Sequence, residues 1–244
     1  VLTGPTSGLG RAAAGSFARM GARLVLVGRD AGRLERTRAE LLEEVPGLEA
    51  VSVVADMASL ASVRAAAAEI LEREPRIDVI VDNAGAMIRR VPFLELDSDL
   101  YDAAMNLNVK SVIEASQAAV PHMEKQGGGA IINVGSIAGA DGGGPGSGHY
   151  ACAKAYVHNL TRHMARDLAS RKIRVNAVAP GVIETAFHAA TPPERMEVMK
   201  KSVPLGRAGT PQDCVGPILF LASTSMGGYV SGQILHVNGG QFMP

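Results

Sequence analysis

Tryptophan is absent from the 244 residues, and aromatic side chains supply only 4% of them. With 47% of residues hydrophobic, a core has to be built from Ala, Val, Leu, Ile and Met. Cysteine is nearly missing: Cys152 and Cys214 stand alone, without a C-x-x-C spacing or a histidine cluster beside them. That excludes a disulfide framework, argues for no metal site, and points to free thiols in a reducing, cytoplasmic compartment. Excess charge of one sign is absent too, since Lys+Arg and Asp+Glu are 24 each. A balanced chain offers no electrostatic footprint for nucleic acid or an anionic membrane. No apolar run reaches the roughly 18 residues of a spanning helix, so no membrane partner is expected. The chain opens on Val1 inside a strand-like run, which implies missing leading residues and leaves an upstream targeting segment open.

What the chain does have is alternation. Short Val- and Ile-rich runs at 22–28, 49–55, 77–81, 129–135, 173–179 and 233–237 follow a truncated strand at the start. Helical patterns lie between them near 9–20, 30–44, 59–73, 98–125, 148–170 and 211–223. Several strands are apolar throughout, as strands covered on both faces are. This predicts an α/β fold: a single Rossmann-type domain over 1–244 with a doubly wound parallel sheet of about seven strands and helices on both faces. Two segments break the pattern. The glycine-rich stretch 139–148 reads as a mobile loop, and 182–209 reads as a long insertion, a candidate lid carrying Ile183, Phe187, His188, Met196 and Met199 with Lys200 and Lys201.

The first strand, turn and helix read "VLTGPTSGLGRAAAGSF". Gly4, Gly8 and Gly10 let backbone N–H groups approach a pyrophosphate at a helix N-terminus, where the helix dipole favours an anion. The second strand ends Gly28-Arg29-Asp30. Gly28 leaves room, Arg29 offers a planar fork for a 2′-phosphate, and Asp30 sits where a helix N-cap belongs. NADP(H) is therefore favoured over NAD(H).

Tyr150 and Lys154 stand four apart in "HYACAKA" and share one helix face. The phenol is the natural acid for a carbonyl oxygen, and a lysine one turn on favours the phenolate. Tyr156, Leu160, Met164 and Leu168 form an apolar row, and Tyr150 and Lys154 lie about 200° from its start, outside that packing stripe. Ser136 offers a hydroxyl to hold a substrate oxygen. His149, His158 and Cys152 read as structural.

These motifs in this order resemble the short-chain dehydrogenase/reductase family over nearly the whole chain, nearest in pattern to 3-oxoacyl-thioester reductases and sugar-alcohol dehydrogenases. "TGPTSGLG" is similar to the family's cofactor turn, which implies contacts from Gly4, Thr6, Ser7, Gly8, Leu9 and Gly10. "ADM" implies adenine contacts from Asp56 and Met57, and "DNAG" places Asn83, Ala84 and Gly85 beside the adenosine. "NVGS" and "YACAK" carry Ser136, Tyr150 and Lys154 as the catalytic set, with Asn108 holding a water that links Lys154 to solvent. By the same resemblance Tyr150 and Lys154 also touch the nicotinamide ribose, and Pro180, Gly181, Ile183 and Thr185 line the nicotinamide. Three positions depart from the pattern: Pro5 in the turn, Asp82 for the first Asn of Asn-Asn-Ala-Gly, and Asn238 for Asp. The reaction implied interconverts a ketone and a secondary alcohol, with a small-molecule substrate and a homotetramer or homodimer. Acyl thioesters, sugar-derived ketones and cyclic ketones all remain compatible. A non-catalytic NAD(P)-binding sensor, or a lyase or epimerase on the same fold, is the alternative.

Overall fold

The computed structural model describes residues 1–189 and 191–244. Seven strands form one sheet: β1 (Leu2–Thr3), β2 (Leu24–Gly28), β3 (Ala50–Val54), β4 (Val79–Asp82), β5 (Gly129–Val134), β6 (Ile173–Pro180) and β7 (Ile234–Val237). All neighbours are parallel, in the order β3-β2-β1-β4-β5-β6-β7. The principal helices are α1 (Gly8–Arg19), α2 (Ala31–Glu44), α3 (Leu60–Arg73), α4 (Ser98–Met105), α5 (Ser111–Lys125), α6 (Ala138–Asp141), α7 (Gly148–Asp167), α8 (Pro193–Lys201) and α9 (Pro211–Ala222). No helix among the described residues is long and apolar enough to cross a membrane.

The sheet is buried on both faces because its strands are apolar at successive positions, not alternate ones. Leu24, Val25, Leu26 and Val27 are all buried. Val25, Val27, Val53, Ile131 and Val175 meet Val63 and Ile70 of α3 and Met123 of α5 on one side. Leu2, Val81, Ile132 and Val178 meet Ile218 and Leu221 of α9 on the other. Burying each such side chain contributes about 1.5–3 kcal/mol. Helix starts are set by side chains that take up orphan N–H groups: Asp30 accepts from Arg33 N at 2.9 Å, and Asp97 accepts from Leu100 N at 2.7 Å.

Three expectations need correction. The helix expected over 98–125 is interrupted by a π-helical turn at Asn106–Lys110. The glycine-rich stretch 139–148 is not loop throughout, because α6 ends at Asp141 inside it and α7 begins at Gly148. Within α7, Met164 of the expected apolar row is in the core and Leu160 and Leu168 pack against it, but the side carrying Tyr150 and Lys154 is buried as well. Tyr156 is 48% exposed, whereas Tyr150 and Lys154 are 9% and 4% exposed and share the buried face with Ala153, Val157, Thr161 and Met164. The helix thus packs into two cores: Met164 in the main core, and Ala153 and Val157 in a second small core with Val109.

The strand order reverses at β1 and β4: successive strands run outward from β1 to β3 one way and from β4 to β7 the other. At such a switch point the loops after adjacent strands diverge and leave a crevice beyond the carboxyl ends.

Candidate active site

That crevice is a cleft of about 880 Å³. Its floor is the turn after β1. Gly4 and Gly8 adopt φ of +67° and +53°, the left-handed region that costs other residues energy. A Cβ on Gly10 would lie 2.0 Å from Gly4 O, so only glycine fits there. Asn83 Nδ2 donates to Thr3 O and Gly4 O at 2.9 and 3.0 Å, and the backbone N–H groups of Asn83 and Ala84 donate to Thr3 Oγ1. Two strand ends are thereby tied into one rigid cradle. The N-cap residue of α1, Ser7, makes no side-chain cap bond, which leaves the first-turn N–H groups for an anion. Gly4, Thr6, Ser7, Gly8, Leu9, Arg29, Asp56, Met57, Asn83, Ala84, Gly85, Pro180, Gly181, Ile183 and Thr185 all line the same cleft. Gly10 is buried behind it.

At the end of β2, Asp30 is committed to its cap, and Arg29 and Arg33 border the cleft without a carboxylate partner among the described residues. Arg33 has no strand-end signal in the sequence. It enters because the first turn of α2 folds back over Gly28.

Ser136, Tyr150 and Lys154 meet at the other end of the cleft, from the loop after β5 and the first turns of α7. The Lys154 ammonium lies 5.7 Å from the Tyr150 ring centroid and donates to Val134 O at 2.8 Å. Gly85 faces them: a Cβ there would lie 3.1 Å from Lys154 Nζ and 2.7 Å from Asn108 Oδ1. Asn108 is fully buried behind the cleft wall, within the π-helical turn. Its amide donates to Ala86 O and Ala104 O, and its Oδ1 accepts from Ala86 N. It therefore fixes the wall that Gly85 belongs to. His158, one turn beyond Lys154, accepts from Ser136 N at 3.4 Å through Nε2, and burial pulls its imidazole down to about 4, so it stays neutral. His149 contacts Met87 O at 2.8 Å.

The electrostatics depart from the expectation that Lys154 depresses the Tyr150 pKa. Burial pushes the phenol up to about 12, opposed only by the Ser136 hydroxyl. Burial also pulls Lys154 down to about 8, with Asp82 acting against it. Desolvation dominates the shift of each group. At neutral pH the pair is a neutral phenol beside a cation.

The insertion 182–209 is closed at its base: Glu184 N donates to Gly209 O, and Gly209 N to Val182 O. Val182, Val203 and Ala208 pack with Met196 and Met199 in a small core. Phe187 stands over Tyr150 with ring centroids 5.5 Å apart, and His188 and Met199 face the cleft. Lys200 is drawn to Glu184 instead. Of the departures, Pro5 is buried. Asn238 closes its own loop through Phe242 O and Gly240 N. Asp82 is buried with neither oxygen hydrogen-bonded, as are the facing Ser116 hydroxyl and Asn133 Oδ1.

The family profile described as enoyl-(acyl carrier protein) reductase matches residues 4–241. A 3-oxoacyl-[acyl-carrier-protein] reductase of Thermotoga maritima is 37% identical over 98% of this chain and 96% of its own. The crystal structure of a putative NAD(P)-dependent gluconate 5-dehydrogenase from Beutenbergia cavernae, with NADP bound, is 37% identical at a TM-score of 0.92, covering 98% of this chain and 95% of that one. An NADH-dependent reductase, A1-R′, solved with NAD, is 34% identical at a TM-score of 0.86 over 100% of this chain and 95% of that one. With the parallel sheet, the glycine cradle and the cleft beyond the switch point, these likenesses establish that the chain belongs to the short-chain dehydrogenase/reductase family and is an NAD(P)-dependent oxidoreductase.

Proposed function

We propose that the protein interconverts a ketone and a secondary alcohol, with NADP(H) preferred. The observation that carries this is the buried Tyr150 phenol beside the Lys154 cation, opening on one cleft with Ser136 and the glycine cradle. The bound nicotinamide supplies the hydride equivalent. The Ser136 hydroxyl holds and polarises the carbonyl oxygen, and Tyr150 Oη–H gives that oxygen its proton. A phenol pushed up to about 12 is protonated at neutral pH, the state an acid needs for reduction. Lys154, cationic below about 8, favours the phenolate left behind. Asn108 holds the wall beside Lys154 and a water through which the phenolate regains its proton. The insertion 182–209 acts as the lid, excluding water over Tyr150 with Phe187. The non-catalytic sensor reading is weaker, because a sensor needs none of Ser136, Tyr150 or Lys154. A panel of ketones with NADPH, followed by nicotinamide absorbance, tests this. Reduction of at least one class is expected; tight NADPH binding without turnover on any member would favour the sensor.

The cofactor preference rests on Arg29 and Arg33, two guanidiniums bordering the cleft beside Gly28 without an ion-pair partner among the described residues, while Asp30 caps α2. Replacing both by Ala is expected to raise KM for NADPH by about tenfold or more, as loss of charge-assisted bonds does, and KM for NADH by less than about twofold. Equal weakening of both cofactors would sink the phosphate clamp.

A further inference from the structure

Two guanidiniums in the cleft have no assigned task. Arg90 comes from the stretch between β4 and α4, and Arg195 from α8 in the insertion. Both are half-buried and line the cleft. Their end nitrogens converge beside Gly144: Arg195 Nη2 lies 3.3 Å, and Arg90 Nη1 4.0 Å, from the point a Cβ would occupy on that glycine. Among the described residues neither has a carboxylate within 4.0 Å, although neighbouring Arg89 is paired with Asp97 at 2.8 Å. Among the described residues the one hydrogen bond from either guanidinium is from Arg90 Nη1 to Pro145 O at 2.9 Å, so most of both forks is unspent. The chain has as many acidic as basic residues, yet two like charges are left facing each other in a partly desolvated place. Such a juxtaposition is unfavourable until an anion lies between them.

No carboxylate among the described residues pairs with either guanidinium. Asp141 also borders the cleft, but its carboxylate accepts from Gly143 N at 2.8 Å, inside its own turn. Glu194 is exposed beside Arg195 and makes no ion pair. Burial and the Arg90 charge both lower the His188 pKa. The pair is also close to the reacting groups. Phe187 bridges Tyr150 and His188 at centroid distances of 5.5 and 5.2 Å, and Gly143 sits on Ser147 and Ala151 at the start of α7.

Building on the ketone/alcohol reading, we infer that the substrate carries an anionic group, a carboxylate or a phosphate monoester, near its reacting carbon, and that Arg90 and Arg195 together bind that group. Planar forks from two sides suit an oxyanion with several acceptor oxygens, and glycine at 144 leaves the space it needs. Arg90 and Arg195 are then specificity-determining residues, anchoring the far end of the substrate while Ser136 and Tyr150 address its carbonyl.

The test compares ketones that differ only in charge: acetoacetate against methyl acetoacetate, and dihydroxyacetone phosphate against dihydroxyacetone. With NADPH, the charged member of at least one pair is expected to show about tenfold or greater kcat/KM, and which pair does so separates carboxylate from phosphate. In Arg90→Gln and Arg195→Gln that ratio falls about tenfold through KM, and Arg90→Lys retains part of it. Neutral members reduced as well as charged ones, or ratios unmoved in the variants, would overturn the inference. A second measurement uses NADPH-saturated protein titrated with malonate and with inorganic phosphate by calorimetry, so that the cofactor phosphate site is filled. Binding that Arg195→Gln weakens about tenfold supports the anion site even if no ketone is turned over, in which case the reaction assignment alone fails. Ketone reduction without malonate or phosphate binding leaves the reaction standing and removes the anion site.

Discussion

Tyr150→Phe is expected to lower kcat for ketone reduction by about a thousandfold, within the range that a positioned acid contributes. The substitution removes one hydroxyl and keeps the ring. Contact with Phe187 at 5.5 Å and burial of the side chain are preserved, so the fold and the NADPH dissociation constant should change little. Stopped-flow or steady-state rates with the best ketone, alongside NADPH fluorescence titration, separate the two effects. Activity within tenfold of the unsubstituted protein would reject Tyr150 as the acid. The same chemistry sets a pH limit: reduction should fall off above about pH 8, where Lys154 loses its proton.

The second large effect is on stability. Asp82→Asn should stabilise the protein, and increasingly so from pH 4 to pH 7. Burial pushes the Asp82 carboxyl up from 3.8 to about 7, against the pull of the Ser116 hydroxyl and Lys154. A raised carboxyl pKa means that the folded chain binds the proton more tightly. Its stability is greatest below the unfolded value and is lost as pH rises through about 7. Asparagine does not titrate, so the gap in unfolding free energy between variant and parent should widen by on the order of 3 kcal/mol across that window. The variant also supplies an amide donor for Asn133 Oδ1, the orphan acceptor paired with Asp82 in register across β4 and β5. Urea titrations at several pH values would measure the gap, and a gap independent of pH would refute a neutral buried carboxyl. Removing Asp82 also removes a charge that holds Lys154 up, so the alkaline limb of ketone reduction should move below pH 8.

Much of this molecule is readable from short stretches of chain. The run Leu24–Val27 in β2 announces a strand covered on both faces, because its residues are hydrophobic regardless of parity. The glycine turn is equally local: its positive φ values and the approach of Gly10 to Gly4 O arise within seven residues. The spacing of Tyr150 and Lys154 already placed both on one helix face. Asp30 was recognisable as a cap from its position alone.

Other features depend on what lies across the fold. The burial of the Tyr150 and Lys154 side of α7 is not visible in its apolar row, because it depends on Val109, which meets Ala153 and Val157 from another helix. The π-helical turn that buries Asn108 has no periodic signature of its own, since its five residues are too few to establish a period. Arg33, Arg90 and Arg195 look like ordinary surface charges in the sequence. They become part of the cleft because α2, the stretch after β4 and the insertion all converge beyond the carboxyl ends of the sheet. The sequence by itself determined the order of strands and helices, the glycine cradle and the placing of Tyr150 and Lys154 on one helix face, since backbone conformation and side-chain spacing act over a few residues. Tertiary structure alone decided the desolvation that raises Tyr150 and lowers Lys154, and the meeting of Arg90 with Arg195. Burial and charge proximity are sums over segments that only the folded chain brings together.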